Sequence, residues 1–379
     1  MKTYITGIGT TSVGEHWDKS LRDLALEAAH QALTDAKRSP DEIGGVWVGS
    51  MLSGELSGQS HLGAQIAGLL GIVAPSVRVE GACASGGLAV AQARNALLAG
   101  ESKPVLVIGV EKMTDHTATE VTGALMQAAD HEAEGVFGVT FPALYALLAK
   151  AHMEAFGTTR AHLSAVSVKN HANAMHNPKA QFHKEVSQEQ VELAPRIADP
   201  LTLLDCSPIS DGAAALVLEV EPTDRSVELA GIGIGTDTVD LASRASLVEL
   251  AATRRAAERA YRVADVTPQE IDLAEVHDCF TIAEVLAIED LGFVEKGEGG
   301  RATARGVTAR EGRIPVNVSG GLKASGHPVG ATGVKQLCEL TLQLRGEAEA
   351  RQVQGAEVAL AQNVGGSGGT AVVSILKRI

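Results

Sequence analysis

Apolar and polar positions run through a similar cycle twice along this chain. Residues 3–51 begin with a short apolar strand ending in Gly-Ile-Gly, followed by a variable loop and an Ala-rich amphipathic helix. A Pro-containing turn at Ser39-Pro40 then leads into a second apolar strand. Residues 228–279 repeat this order, with their turn at Thr267-Pro268. Ala29, Ala32 and Ala36 fall opposite Ala257, Ala260 and Ala264. Steps of three and four residues put each trio on one helical face. A proline at the opening of a short helix loses nothing, because the first-turn N–H has no intrahelical partner.

A second pair of stretches, residues 77–113 and 315–369, continues the match. Each reads as strand, Gly-rich turn, helix, charged loop and buried strand. The unbroken run PVLVIGV (104–110) suits a strand covered on both faces. GAAALVLEVEP (212–222) and TAVVSILKRI (370–379) look like matching closing strands. The pattern predicts an α/β chain of two duplicated βαβαβ-type halves, residues 1–224 and 225–379, packed together. Residues 111–205, rich in His, Asn, Lys and Ala, have no counterpart in the second half. Such an insertion suits a cap, a binding loop or an oligomer contact.

Composition narrows the class. Apolar residues make up 45% of the 379 and aromatic residues only 3%, so the core is mostly Ala, Val, Leu and Ile. With 32 Lys and Arg against 46 Asp and Glu, the formal charge is −14. That balance disfavours sequence-independent nucleic-acid binding but leaves room for an anionic small substrate. No apolar run approaches a membrane span, and the N-terminus lacks the pattern of a secretory signal. Cys83, Cys206, Cys279 and Cys338 show no CxxC spacing and read as free thiols in a reducing compartment. A cytoplasmic protein without membrane or nucleic-acid partners is expected.

Three stretches stand at equivalent strand ends: EGACASGG with Cys83, EVHDCF with His277 and Cys279, and ASGHPVGATG with His327. A two-fold repeat packed about its own axis can bring matching ends to one site. Cys83 precedes an Ala-rich helix, where unpaired N–H groups and the helix dipole lower a thiol pKa from about 8.5 towards neutral. Gly81, Gly86 and Gly87 would let a substrate approach the backbone. The bland alternative for Cys83 is a small buried hydrophobe in a tight turn. Gly326 and Pro328 present His327 from a loop, where it is either reactive or without a role. Cys279, beside Phe280, is a metal ligand, a redox or acid/base thiol, or packing; Asp278 suits a cap for the following helix. His171, His176 and His183 match no compact metal-ligand spacing. AQNVGGSGGT (361–370) lacks the lysine of a P-loop, and GIGTTS (7–12) is an incomplete dinucleotide fingerprint. Neither a metal nor a nucleotide cofactor is expected.

Together these stretches resemble the thiolase family over essentially the whole chain. EGACASGG resembles its nucleophile loop and SGGLKASGHPVGATG (319–333) its Gly-His-Pro loop. CSPISDGAAALVLE (206–219) resembles the region closing its first half, and residues 145–182 its loop domain. Two departures stand out. Many thiolases carry Asn-Glu-Ala-Phe where this chain has His277-Asp278-Cys279-Phe280, and Cys-x-Gly where it has Asn363-Val364-Gly365. The His-Asp-Cys-Phe version is similar to sterol-carrier-protein-type thiolases and related archaeal and bacterial members, in which that thiol takes over the missing role.

The resemblance implies a five-layered α-β-α-β-α fold with the loop domain over the site. It implies Cys83 as acyl-carrying nucleophile, His327 as its base, and Cys279 as the thiol that moves the α-proton. His277 and His327 would hold an enolate oxygen; the backbone N–H groups of Cys83 and Gly365 would form the oxyanion hole for the tetrahedral intermediate. Acetyl-CoA or another acyl-CoA, with CoA, would be substrate rather than cofactor, and no metal is required. A homodimer or homotetramer is implied, as is a small zinc-ribbon and OB-fold partner protein. Arg254 and Arg255 are candidates for the CoA phosphates. Less favoured readings are a decarboxylating ketoacyl synthase, an aldolase-type homologue and a non-catalytic acyl-CoA-binding scaffold.

Overall fold

The two alanine helices each lie against a Gly-Ile-Gly strand, and the glycines are what let them approach. In the computed structural model, which describes Met1–Ile379, the first half runs β1 (Tyr4–Thr10), α1 (Leu21–Ala36), β2 (Gly45–Gly49) and α2 (Leu62–Leu70). It continues through β3 (Ser76–Val79), α3 (Ser85–Leu98) and β4 (Val105–Glu111). A Cβ added at Gly7 would collide with the Ala32 carbonyl of α1. α1 opens with a capping box, in which Ser20 accepts from the Asp23 N–H and the Asp23 carboxylate accepts from the Ser20 N–H. Helix α2 was not legible in the repeat pattern.

Next comes the insertion: α4 (Ala118–Leu125), α5 (Phe141–Phe156), α6 (Arg160–Ala174), α7 (Gln188–Leu193) and a small β5 (Arg196–Ala198)–β6 (Leu201–Thr202) pair. β7 (Gly212–Glu219) follows it. The rest of the chain forms β8 (Val227–Thr236), α8 (Ala251–Ala264), β9 (Leu273–Glu275), α9 (Thr281–Asp290), α10 (Gly299–Ala304), α11 (Gly321–Ser325) and α12 (Thr332–Arg345). It ends with β10 (Val358–Gly365) and β11 (Thr370–Arg378). At Gly233 a Cβ would strike the Ala256 carbonyl of α8, as at Gly7.

The main strands form one continuous sheet, ordered β3-β2-β4-β7-β1-β8-β11-β10-β9. The joint is the antiparallel pairing of Tyr4 with Glu228 and Ile5 with Val227, between β1 and β8. The second half mirrors the first outward from that joint, except that the counterpart of β3 is reduced to a single bridge from Val316 to Ala274. Apolar clusters define five layers. α1 and α2 cover the outer face of the first half, and α8 and α9 that of the second. Between them α3 and α12 share one core, where Ala89, Val90 and Leu97 meet Val334, Leu337 and Leu344. Each such fully buried Leu or Val contributes roughly 1.5–3 kcal/mol. This central layer brings the Cys83 turn and the His327 loop together, since each leads into one of its two helices.

Leu144, Tyr145 and Leu148 of α5 and Leu163 and Val166 of α6 pack with Cys279, Phe280, Val285 and Leu286. The insertion therefore covers the end of β9. All four cysteines are free, and no helix is long and apolar enough to cross a membrane.

Candidate active site

Cys83 sits on a tight turn, Ala82–Ala84, immediately before α3. Ala82 has φ 54°, a left-handed conformation costing about 1–2 kcal/mol for a residue with a Cβ. Local bonds hold it there. The Ala82 N–H donates to Glu80 Oε1 at 2.6 Å, the Gly81 N–H to Ser85 Oγ at 3.0 Å, and the Ser85 hydroxyl to the Ala82 carbonyl at 2.6 Å. Gly86 and Gly87 serve a different purpose from the one expected. A Cβ at Gly86 would lie 2.7 Å from the Gly330 carbonyl, and one at Gly87 would lie 3.0 Å from Asn363 Oδ1. They admit the second half of the protein rather than a substrate.

The three strand ends converge as the repeat suggests. Ligand atoms of Cys83, His277 and His327 all lie within 4.8 Å of one another, and all three residues are buried. The two imidazoles meet edge to face, with centroids 4.9 Å apart at 86°. Their partners give them opposite characters. Asn363 Oδ1 accepts from the Gly87 N–H at 3.1 Å and its Nδ2 donates to the Cys83 carbonyl at 2.9 Å, which fixes the amide's orientation. The same Nδ2 faces His277 Nδ1 at 3.3 Å. His277 Nδ1 is thus an acceptor and Nε2 carries the proton, an assignment that follows from the hydrogen-bond network. That Nε2 is buried without any protein partner.

His327 is set the other way. The Thr332 hydroxyl donates to the Pro328 carbonyl at 3.1 Å, so it accepts from His327 Nδ1 at 2.7 Å. Nε2 of His327 keeps its lone pair. The His327 backbone N–H is anchored on Ser210 Oγ at 2.9 Å. Burial lowers the His277 pKa to about 3 and takes that of His327 well below its usual value, so both rings are neutral at pH 7. One offers a proton and the other a lone pair. A metal would need a lone pair where His277 holds its free N–H.

Burial pushes the Cys83 thiol up to about 12, against the opposing N–H groups of Gly366 and of Cys83 itself. The lowering expected at a helix start is outweighed, because removing water from a thiolate costs more than one helix terminus returns. The thiol is protonated at rest and would need a base to react, and His327 beside it keeps a lone pair on Nε2. Of the Gly366 and Cys83 N–H groups, that of Gly366 favours the thiolate more; Gly365, one residue earlier, is paired with Thr370 at the end of the β10–β11 ladder.

Cys279 lies in the loop between β9 and α9, buried, with its carbonyl accepting from the Ser207 N–H at 2.9 Å. Asp278 does not cap α9. It accepts from the N–H groups of Leu322 at 2.6 Å and Lys323 at 3.2 Å, so it caps α11 instead, and it also accepts from Asn170 Nδ2 at 2.7 Å. This ties the Cys279 loop to the His327 loop and to the insertion.

Cys83, Cys279, His327 and Gly366 line a cavity of about 160 Å³ whose wall is otherwise mainly apolar, including Met113 and Ile209. A larger cavity of about 320 Å³ between α1 and α12 holds paired charges, Arg345 with Asp35 at 2.7 Å and Arg351 with Glu339 at 2.9 Å. It offers no reactive constellation. Tyr145, Thr332, Asn363 and Gly366 were not singled out by sequence for these positions. The signal for Thr332 was there, five residues after His327 in the same Gly-rich loop. Arg254 and Arg255, on α8, pair with Glu249 and Asp237 and do not line the cavity. His171 and His183 bond the carbonyls of Lys184 and Asn177, and His176 is exposed.

Known proteins were compared with this site in view. Residues 1–221 match the family described as Thiolase, N-terminal domain, and residues 233–378 match Thiolase C-terminal domain-like. The chain is 49% identical over 380 residues to "Acetyl-CoA acetyltransferase" of Methanothermobacter thermautotrophicus, covering 99% of each. It is 33% identical over 396 residues to "Sterol carrier protein 2" of Homo sapiens, covering 99% of this chain and 72% of that protein. The solved "Ltp2-ChsH2(DUF35) aldolase" superposes with a TM-score of 0.86 at 24% identity, covering 100% of this chain and 98% of the other. At that identity the likeness speaks to fold.

Proposed function

The chain belongs to the thiolase family, and we propose that it condenses two acyl-CoA molecules, or cleaves 3-ketoacyl-CoA with CoA, through an acyl-Cys83 intermediate. It is a thiolase-type acyltransferase. Acetyl-CoA as the acyl donor is supported by the name of the 49% identical archaeal relative. The observation that carries the reading is the convergence of one thiol and two imidazoles, with ligand atoms within 4.8 Å, one ring keeping a lone pair and the other an unpartnered N–H.

In the synthetic direction, His327 Nε2 takes the Cys83 proton and the thiolate attacks the acyl carbon. The N–H groups of Cys83 and Gly365 hold the tetrahedral oxyanion, while the Gly366 N–H favours the Cys83 thiolate itself. One such donor is worth roughly 2.7–4 kcal/mol. The C–S bond to CoA breaks, and the departing CoA thiolate takes the Cys279 proton. This leaves acyl-Cys83, an imidazolium at His327 and a thiolate at Cys279. Cys279 then removes the Cα proton of the second thioester, while His277 and the protonated His327 donate to the enolate oxygen. The carbanion attacks acyl-Cys83, Cys83 departs as a thiolate, and His327 returns its proton. Both thiols end as they began, and every proton is accounted for. Neither metal nor cofactor enters the scheme.

The same proposal includes halves at 1–224 and 225–379 with a loop domain at 111–205, cytoplasmic action and a homodimer or homotetramer. A small zinc-ribbon and OB-fold partner protein belongs to the same proposal; the superposable aldolase is itself named together with a DUF35 protein. An aldolase role for this chain is disfavoured because it makes no use of the Cys83–His327 pair.

Intact-mass spectrometry after mixing with acetyl-CoA tests the scheme. Wild type and Cys279→Ala should gain an acetyl group, Cys83→Ala should not, and only wild type should complete condensation. A wild type that never acetylates would remove acetyl-CoA as the donor.

A further inference from the structure

In this scheme Cys279 holds a negative charge in a cavity that no Lys or Arg lines. Burial opposes its ionisation, and so does the neighbouring Asp278 carboxylate. The side chain that favours its thiolate is Tyr145, whose hydroxyl can reach the sulfur. Tyr145 comes from α5 in the insertion and is 1% exposed. Its ring stacks on Phe280, next in sequence to Cys279, with centroids 4.5 Å apart at 27°. Its hydroxyl donates at 3.0 Å to the carbonyl of Gly366, the residue whose N–H faces Cys83. Tyr145, Cys83, Cys279 and Gly366 line the same cavity.

A phenol has one proton to donate, and two acceptors lie within its reach. At rest the Gly366 carbonyl is the stronger one, because a neutral thiol accepts weakly. Once Cys279 is a thiolate the preference reverses, since hydrogen bonds to ionised acceptors are about twice as strong as neutral ones.

We propose that Tyr145 is the positioning residue for Cys279: its O–H turns from the Gly366 carbonyl to the Cys279 sulfur in the acyl-enzyme and holds that sulfur against the Cα of the second thioester. The inference rests on the two-thiol reading above. No proton leaves Tyr145; only the acceptor changes, and it changes back when Cys279 takes the Cα proton. The insertion thus supplies part of the machinery of the second half-reaction.

Tyr145→Phe keeps the ring and its stack and removes only the hydroxyl. Three measurements separate the outcomes: the rate of Cys83 acetylation, the rate of condensation, and the pH dependence of Cys279 alkylation by iodoacetamide. The last is read by peptide mass in a Cys83→Ala background. Acetylation should stay within about threefold while condensation falls about tenfold to hundredfold, the value of one hydrogen bond to a charged group. The alkylation midpoint should rise by about one pH unit or more. Equal losses in both half-reactions with an unmoved midpoint would overturn the proposal, leaving Tyr145 as a support for Gly366 alone. An unchanged condensation rate would also overturn it. Absence of acetylation in wild type would instead bring down the two-thiol reading on which it rests.

Discussion

Asn363 Nδ2 lies 3.3 Å from His277 Nδ1, so a residue at the end of one strand sets the tautomer of a residue at the end of its neighbour. Asn363 stands where many thiolases carry their second thiol. Here that position holds an amide that also binds the Cys83 carbonyl and the Gly87 N–H, and the proposed scheme gives the thiol's role to Cys279. One side chain therefore joins the nucleophile turn, the start of α3 and the imidazole donor.

Asn363→Asp tests this joint. A carboxylate would repel the Cys83 carbonyl and draw the His277 proton to Nδ1, leaving Nε2 without a hydrogen for the enolate oxygen. Condensation should fall about 10²–10³-fold, the usual loss for one oxyanion donor. Steady-state kinetics measures the rate, and ¹⁵N NMR of the imidazole reads the tautomer. An unchanged tautomer would separate Asn363 from His277.

Thr332→Val should act on the other ring. It removes the acceptor for His327 Nδ1–H at nearly constant volume, so the base loses the partner that keeps its lone pair on Nε2. Acetylation of Cys83 should slow at least about tenfold, within the range for general-base catalysis. Thr332→Ser should restore most of it, because its hydroxyl can still accept. Failure of serine to rescue would mean the Thr332 methyl, not its oxygen, is what matters.

Much of this arrangement was legible because it is periodic or symmetric. Gly7 and Gly233 and the alanine stripes announce the close strand–helix packing, and the repeat predicts that Cys83, Cys279 and His327 share a site. What stayed hidden depends on contacts distant in sequence. Tyr145 reads as an ordinary core position of α5, and only packing of the insertion on the second half brings it to Cys279. The thiol pKa of Cys83 could not be read from its helix start, because the opposing term is burial by residues from both halves. The influence of the Gly366 N–H on the Cys83 thiol stayed hidden for the same reason. A Gly-Gly pair does not say which N–H faces the sulfur until the turn is folded.

The neutrality of His277 has a consequence for stability. Its pKa is about 3 in the fold against about 6.5 unfolded, so between those values the unfolded chain binds one more proton. Stability from this group is therefore present above pH 6.5 and is lost as pH falls below it, with a slope of about 1.4 kcal/mol per pH unit. Glu275 and Glu111, raised by burial to about 8 and about 7, work in the opposite sense, stabilising at low pH and losing that contribution as pH rises. They are present in wild type and in His277→Asn alike, so they cancel in the difference. The stability of His277→Asn relative to wild type should rise by about 2 kcal/mol between pH 7 and pH 5. Denaturant unfolding at the two pH values measures it. Asparagine retains an N–H donor, so the variant should also keep more condensation activity than His277→Ala. A difference that does not change with pH would mean that His277 titrates in the fold as it does in the unfolded chain, and the buried, neutral ring assigned to it would fail.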